Sequence, residues 1–190
     1  MSRYMIESVP EKCKACRRCE IACIAAHHGL TFKEALKKRD ELVARVHVVK
    51  SGSVKSPISC RQCENAPCAR ICPTGALQQD DGIVTMNAQI CSGCQLCIMA
   101  CPYGVRAYDE GRDKGVIEKC TMCAHLIDKG EKPSCVKHCP GQARLFGDLD
   151  DPESDVSKMI ARKSTHKLKD VGNPPGVTYG LDKFSWKGDE

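Results

Sequence analysis

Cysteine is the residue that most constrains this chain, with 16 copies among 190 residues. The cysteines form four groups of four, and none is left over. Every group opens with a C-x2-C pair and ends with two cysteines separated by three residues, a spacing typical of metal-binding frameworks. The groups are Cys13, Cys16, Cys19 and Cys23; Cys60, Cys63, Cys68 and Cys72; Cys91, Cys94, Cys97 and Cys101; and Cys120, Cys123, Cys135 and Cys139.

The third group, followed by Pro102, is the C-x2-C-x2-C-x3-C-P run of bacterial ferredoxins. Three closely spaced thiolates in such a run wrap one [4Fe–4S] cluster, and the fourth cysteine ligates a different cluster. We expect the fourth cysteine to stand at the start of a helix that points away from the first cluster. The second and fourth groups are also followed by a proline. Four such groups predict four [4Fe–4S] clusters, or about 16 iron atoms per chain.

Zinc and disulfides are the competing interpretations of these cysteines. Structural zinc also uses C-x2-C pairs separated by a longer loop, and the fourth group alone fits that pattern. Zinc explains neither the tight triplets nor the Cys-Pro endings. A disulfide scaffold is disfavoured because the first dozen residues contain no apolar secretory segment.

The same observations predict a soluble, cytoplasmic protein, unless a partner subunit carries an export signal for both. No apolar run reaches the roughly 18 residues of a membrane-spanning helix, so we expect no direct membrane insertion. The formal charge of +5 counts every thiol as neutral, and four clusters at about −2 each would bring it to about −3. No basic stripe with interleaved aromatic residues is present, so we expect no nucleic-acid binding.

The sequence contains no catalytic constellation. It has no nucleotide-binding glycine loop, no nucleophile with a paired base, and no residue set left over for a pterin or flavin. The six histidines, among them His27, His28 and His138, are expected to face solvent or to support cluster ligands. All the predicted chemistry is one-electron storage and transfer, and we expect the chain itself not to be an enzyme.

Several motifs resemble one family over residues 5 to 150, the four-cluster electron-transfer (beta) subunits of the dimethyl sulfoxide reductase type. The resemblance rests on Cys60–Cys68, Cys72–Ala76, Cys101–Gly104 and Lys119–Cys123. Related subunits serve formate dehydrogenases, nitrate reductases, carbon monoxide dehydrogenases and some tungsten aldehyde oxidoreductases. No cysteine is replaced by another residue, so no three-iron cluster is indicated.

The resemblance implies which cysteines share a cluster, with the first group paired to the fourth and the second to the third. We name the four implied ligand sets A to D. Set A is Cys13, Cys16, Cys19 and Cys139; set B is Cys120, Cys123, Cys135 and Cys23; set C is Cys60, Cys63, Cys68 and Cys101; set D is Cys91, Cys94, Cys97 and Cys72.

The fold implied is α+β, with two ferredoxin-like lobes that each hold two [4Fe–4S] clusters. Residues 1–59 and 106–150 would form an outer lobe with the first and fourth groups. Residues 60–105 would form an inner lobe with the second and third groups. Residues 151–190 would form a C-terminal helix and an extended, partner-docking tail.

The implied function is relay of electrons between a catalytic oxidoreductase subunit and a redox partner. A molybdenum or tungsten enzyme is the favoured catalytic subunit, such as an aldehyde oxidoreductase or formate dehydrogenase. A further electron acceptor or a flavin subunit is an additional candidate partner. The alternatives are a subunit of a carbon monoxide dehydrogenase or hydrogenase, and a freestanding polyferredoxin carrier. The basic residues around the first group, Lys12, Lys14, Arg17 and Arg18, form either a solvated face or a docking patch for an acidic partner.

Local patterns predict the elements between the cysteine groups. Thr31 to Glu34 is a capping box that begins a helix reaching about Leu42, and 43–49 is a β-branched strand. The polar stretch 50–59 is expected to connect the lobes. An Asp-Gly turn at 81–82 and a glycine-rich turn after Tyr108 each predict a β-hairpin.

The last 40 residues change character. Asp151-Pro152 predicts the start of a helix that runs to about Lys163. From Ser164 the polar, glycine- and proline-rich segment has no periodicity, and we expect it to extend along a partner or along the protein's own surface. Phe184 and Trp186 in this segment favour docking over a disordered end.

Overall fold

The computed structural model describes residues 4–80, 82–109, 115–162, 165–166 and 179–180. It is a mixed helix-and-strand fold with small antiparallel sheets and mostly short helices. The strands are β1 Tyr4–Ser8, β2 Val46–Ser51, β3 Val54–Ser59, β4 Leu77–Asp80, β5 Ile83–Met86, β6 Ala107–Asp109, β7 Val116–Glu118, β8 Arg144–Asp148, β9 Thr165–His166 and β10 Tyr179–Gly180. The helices are α1 Arg18–His28, α2 Phe32–Lys37, α3 Pro67–Arg70, α4 Leu96–Met99, α5 Ala124–Ile127, α6 Ser134–Lys137 and α7 Asp155–Arg162, with a 3-10 turn at Pro10–Lys12.

Strands β1 and β8 pair across almost the whole described chain. They are antiparallel, with Tyr4 opposite Asp148 and Ser8 opposite Arg144. Helix α7 covers this pair, and its fully buried Val156 packs against Met5 of β1. The two ends of the cysteine-rich region are therefore held side by side.

The predicted hairpins β4–β5 and β6–β7 are confirmed. The stretch 50–59, predicted as a connection between lobes, is instead mostly strand β3, which pairs with β2. It alternates in burial, with Pro57 and Ser59 turned inward. Ser8 donates a hydrogen bond to the Pro57 carbonyl (2.7 Å), so this polar strand has partners beyond β2.

The capping box at Thr31 is confirmed, because the Glu34 N–H donates to Thr31 Oγ1 (3.3 Å) and the Thr31 N–H donates to Glu34 Oε2 (2.8 Å). The helix it begins ends at Lys37, earlier than predicted. Helix α7 also differs, since it begins at Asp155 and not at Asp151-Pro152. Ser154 Oγ accepts the Ser157 N–H (3.2 Å) and so caps the helix.

Two groups of buried side chains form the main core. One joins α1, β2 and the fourth cysteine group, with Ile24, Val46 and Met122 among its members. The other joins the second and third groups, with Leu77, Val84 and Ile117. No helix among the described residues is long and apolar enough to cross a membrane. Phe184 and Trp186 lie outside the described residues, so docking of the tail stays a prediction.

Candidate metal centres

Three cavities each bring four cysteines together, and their members match sets A, C and D. The three cavities are similar in size. In each one, three cysteines of one group meet the last cysteine of a different group. For set A that distant member is Cys139, which follows Cys13 by more than a hundred positions.

Set B lies in the interior. All four of its cysteines are buried, and Cys23 is within electrostatic reach of Cys120, Cys135 and Cys123. Helix α1 supplies Cys23 and packs against α6, which supplies Cys135. Twelve cysteines therefore line three cavities, four in each, and the four cysteines of set B lie buried near one another.

The placement of the cysteines relative to helices differs from the expectation. The third cysteine of each group is the second residue of a helix: Cys19 in α1, Cys68 in α3, Cys97 in α4 and Cys135 in α6. The fourth cysteine comes one helical turn later, so the prediction that it begins a helix was wrong. Residues four apart share a helix face with about 5–6 Å between their Cβ atoms. One turn of helix thus offsets the fourth cysteine from the third, toward the neighbouring set.

The loops around the cysteines contain left-handed backbone. In every group the residue two after the first cysteine has a positive φ: Ala15 (52°), Gln62 (45°), Gly93 (69°) and Met122 (55°). Three of these four are not glycine, and such a conformation costs about 1–3 kcal/mol each. The glycine at 93 was the only sign of this turn in the sequence.

These turns direct backbone N–H groups at cysteine sulfurs. The Ala15 N–H donates to Cys13 Sγ (3.4 Å), and the Met122 N–H donates to Cys120 Sγ (3.4 Å). A distant segment contributes as well, since the Arg45 N–H donates to Cys23 Sγ (3.3 Å). Amides aimed at sulfur favour the thiolate and tune the potential of an attached cluster.

Burial separates the interior thiols from those near the surface. Burial raises the pKa of Cys120 to about 12 and that of Cys19 to about 12. For the half-buried Cys72, burial also raises the pKa, but the N–H groups of Leu77, Thr74 and Ala76 and the Thr74 hydroxyl together outweigh it and lower the pKa. The interior thiols therefore depend on a cationic metal to become thiolates.

His27 supports a cysteine of set B. Its Nε2 lies 3.6 Å from Cys123 Sγ, and its Nδ1 lies 3.1 Å from the Arg45 guanidinium. Burial, reinforced by Arg45, lowers the pKa of His27 to about 3, so the ring is neutral. A neutral imidazole here can donate to a sulfur without adding charge.

The residues present fit [4Fe–4S] clusters. No three His, Cys, Asp or Glu side chains in the described part of the chain are grouped as one metal ion would need. The sulfurs of sets A, C and D instead surround cavities, as the ligands of a multi-atom cluster must. Arg106 lines the cavity of set C, and its buried Nε and Nη1 have no hydrogen-bond partner among the described residues. Unpaired guanidinium donors at a thiol-lined cavity suit an anionic occupant.

Comparison with known proteins gives one family and several relatives. A family model described as a 4Fe-4S dicluster domain matches residues 53–149. A Halobacterium salinarum protein named as an iron–sulfur subunit of dimethyl sulfoxide reductase is 35% identical, covering 94% of this chain and 79% of its own. The arsenate respiratory reductase iron–sulfur subunit ArrB of Shewanella sp. strain ANA-3 is 30% identical over 89% and 92%. The electron transport protein HydN of Escherichia coli K12 is 35% identical over 78% and 89%.

Proposed function

The chain belongs to the family of 4Fe-4S dicluster iron–sulfur proteins, and we propose that it relays electrons through four [4Fe–4S] clusters bound by sets A to D. When bound, such a cluster stores and passes one electron at a time. The relatives are named as iron–sulfur subunits and electron transport proteins, so the chain is an electron carrier and not a catalyst. The assignment of individual ligands is part of the proposal.

One observation carries the proposal: three separate cavities each gather the four cysteines of one predicted set. Structural zinc sites typically take cysteines as C-x2-C pairs and not as a closely spaced triplet with one distant cysteine. The crossed membership instead matches ferredoxins with two clusters, in which the fourth cysteine ligates the other cluster.

In this proposal the sets follow one another as a row in the order A, B, C, D. Cys19 of set A lies within electrostatic reach of Cys135 of set B. Cys120 of set B lies within reach of Cys60 of set C, and Cys97 of set D lies within reach of Cys68 of set C. Electrons can thus enter at one end of the row and leave at the other.

We propose two lobes, an outer one around sets A and B and an inner one around sets C and D. The two groups of buried side chains support this division, because one surrounds Cys19, Cys23 and Cys120 and the other surrounds Cys68 and Cys97. The boundaries 1–59 with 106–150, and 60–105, are approximate, since Ile117 packs with the inner group.

We propose that the working partner is a molybdenum- or tungsten-containing catalytic subunit. The support is that relatives at 30–35% identity are named as subunits of dimethyl sulfoxide, arsenate and selenate reductases. The substrate would bind to that catalytic subunit and not to this chain. A flavin subunit or another acceptor would occupy the opposite end of the row.

A freestanding carrier is the second candidate. It is favoured by the similarity to HydN, which is named an electron transport protein and of which this chain covers 89%. Native purification followed by size exclusion and metal analysis separates the two functions. A large stoichiometric partner that co-elutes with molybdenum or tungsten supports the subunit, and a holo-monomer of 20.8 kDa supports the carrier.

The same peak tests the clusters, because four of them require about 16 iron atoms per chain. Substitution of one cysteine then tests each assignment. Cys94→Ser should remove or convert one of four cluster signals, and four unchanged signals would contradict its place in set D.

A further inference from the structure

Three cationic side chains, of which Arg144 and Lys119 are buried and Arg106 is partly buried, lie at the three junctions between successive sets. The first is Arg144, which is 2% exposed although it stands in strand β8. Its guanidinium donates to the Pro57 carbonyl (3.3 Å) and to Ser59 Oγ (2.9 Å), and its buried Nε has no hydrogen-bond partner among the described residues. It acts electrostatically on Cys135 of set B and Cys19 of set A, and so lies between them.

The second cation is Lys119, which is 1% exposed and directly precedes Cys120 of set B. Its Nζ donates to the carbonyl of Val84 and approaches Gln62 Oε1 (3.4 Å). Val84 lines the cavity of set C, and the Gln62 side-chain amide donates to the Cys120 carbonyl (2.9 Å). The ammonium group is therefore held between set B and set C.

The third cation is Arg106, whose unpaired donors line the cavity of set C. It also acts on Cys68 of set C and on Cys97 of set D, in both cases as the strongest electrostatic influence that favours the thiolate. It therefore lies between the last two sets.

Lysine and arginine are almost never fully buried unless they are paired. Neither Lys119 nor Arg144 has a carboxylate among the hydrogen-bond partners given above; their neighbours are carbonyls, an amide, a hydroxyl and cysteine sulfurs. The remaining source of negative charge is the thiolates. A cation at each of three consecutive junctions can attract the negative charge of the groups on both of its sides.

We propose that these three cations raise the reduction potentials of the clusters on both sides of them: Arg144 in sets A and B, Lys119 in sets B and C, and Arg106 in sets C and D. The inference rests on the proposed four-cluster function. It adds the residues that raise the reduction potentials of those clusters. Reduction adds an electron beside a positive charge, and the interior screens this attraction less than water does. Burial lowers the pKa of Lys119, and the neighbouring Cys60 and Cys120 sulfurs oppose that shift.

The test is an EPR-monitored redox titration of the anaerobic holoprotein carrying Lys119→Met or Arg106→Met. Each variant should lower two of the four potentials, with at least about a tenfold change in the one-electron equilibrium constant, which is 59 mV. The two variants should share one shifted cluster, that of set C. Lys119→Arg keeps the charge and should leave all four potentials in place, as should the exposed-charge control Lys55→Met.

Arg144→Gln completes the pattern, because it should share one shifted cluster with Lys119→Met and none with Arg106→Met. This pattern of shared shifts can be recognised before any EPR signal is assigned to a particular set. The inference is overturned if Lys119→Met leaves every potential unchanged. It is also overturned if any variant that removes one of these charges shifts all four potentials equally. If Lys119→Met binds less iron, Lys119→Gln replaces it, since glutamine can still donate to the Val84 carbonyl. Fewer than four signals in the unsubstituted protein would count against the proposed function instead.

Discussion

Sets B and D each consist of four cysteines, but the protein encloses them in opposite ways. Set B is gathered from segments about a hundred positions apart, and all four of its cysteines are buried. Set D comes from two neighbouring groups beside the local hairpin β4–β5, and Cys94 is exposed. Burial raises the pKa of Cys23 in set B, whereas donated N–H groups outweigh burial and lower the pKa of Cys72 in set D.

The contrast shows that a metal site can be a consequence of the fold or a cause of it. The polypeptide around set D closes over short loops, which cost little entropy. The polypeptide around set B must bring α1 and α6 together before the site exists, and burial raises the pKa of its Cys23, Cys120 and Cys123 thiols, which disfavours the thiolate without metal. We therefore expect cluster binding and folding to be coupled most strongly at set B.

The largest effect is expected from comparing Cys120→Ser with Cys94→Ser. Both should lower the iron content from about 16 to about 12 atoms per chain. Cys120→Ser should also lower the unfolding midpoint by about 10 °C or more, since several kcal/mol are lost at about 2–4 °C per kcal/mol. Cys94→Ser should lower it by only a few degrees. Anaerobic thermal unfolding with iron analysis measures both, and equal losses of stability would remove the distinction between the two sets.

Iron removal should follow the same order. A chelator added anaerobically reaches sets A and D first, because Cys16 and Cys94 are exposed, and set B last. We expect about half of the iron to leave in a fast phase and the rest several-fold more slowly. The time course of chelated iron measures this, and a single phase for all of the iron would show that burial does not govern access.

The closure of the outer half can be probed without touching a cysteine. A Cβ at Gly141 would lie 2.6 Å from the Lys12 carbonyl oxygen, so Gly141→Ala must push the segment of Cys139 away from that of Cys13. We expect a loss of about 1–3 kcal/mol and a weakened cluster in set A, with set D unaffected. Thermal unfolding and EPR of the holoprotein report these two effects.

The matched control is Gly52→Asn in the β2–β3 turn. There a Cβ meets nothing within 4 Å, and asparagine tolerates the left-handed backbone (φ +55°). A Gly141→Ala protein as stable as this control would mean that the contact with Lys12 does not hold the two segments in place.

The smallest effect concerns the basic residues beside set A. Arg17→Glu with Arg18→Glu should slow electron exchange with an acidic partner about tenfold at low ionic strength, and the difference should fade as salt screens the charges. Lys50→Glu with Lys55→Glu on the β2–β3 hairpin is the control. Stopped-flow rates at several salt concentrations measure it, and equal rates for both pairs at low salt would assign these residues to a solvated face.

Sequence spacing marks all 16 cysteines as metal ligands because ligand chemistry leaves a local pattern, whereas their division into four sets comes from the family resemblance and stays a prediction. It also predicted the capping box at Thr31 and the Asp-Gly hairpin, which are equally local signals. It could not predict the pairing of β1 with β8, since two strands about 140 positions apart carry no mark of one another. The strand at 54–59 was missed because Pro57 and its polar neighbours are typical of a loop.

The buried cations were missed for a different reason. Lysine and arginine are normally solvent-exposed, so Lys119 and Arg144 gave no sign in the sequence that they enter the core. Their burial follows from tertiary placement, next to Cys120 in one case and across from the Pro57 carbonyl in the other. Side chains that act on a site from the interior can be identified only from the structure.

The left-handed residues after the first cysteine of each group limit how these loops can vary. The side chains of Ala15, Gln62 and Met122 share no property of charge, size or polarity, and Gly93 has no side chain. What they share is that none is β-branched and none is proline, the residues that a left-handed backbone tolerates least. The left-handed backbone itself therefore sets no requirement for side-chain charge or size at these positions, but it disfavours valine, isoleucine, threonine and proline.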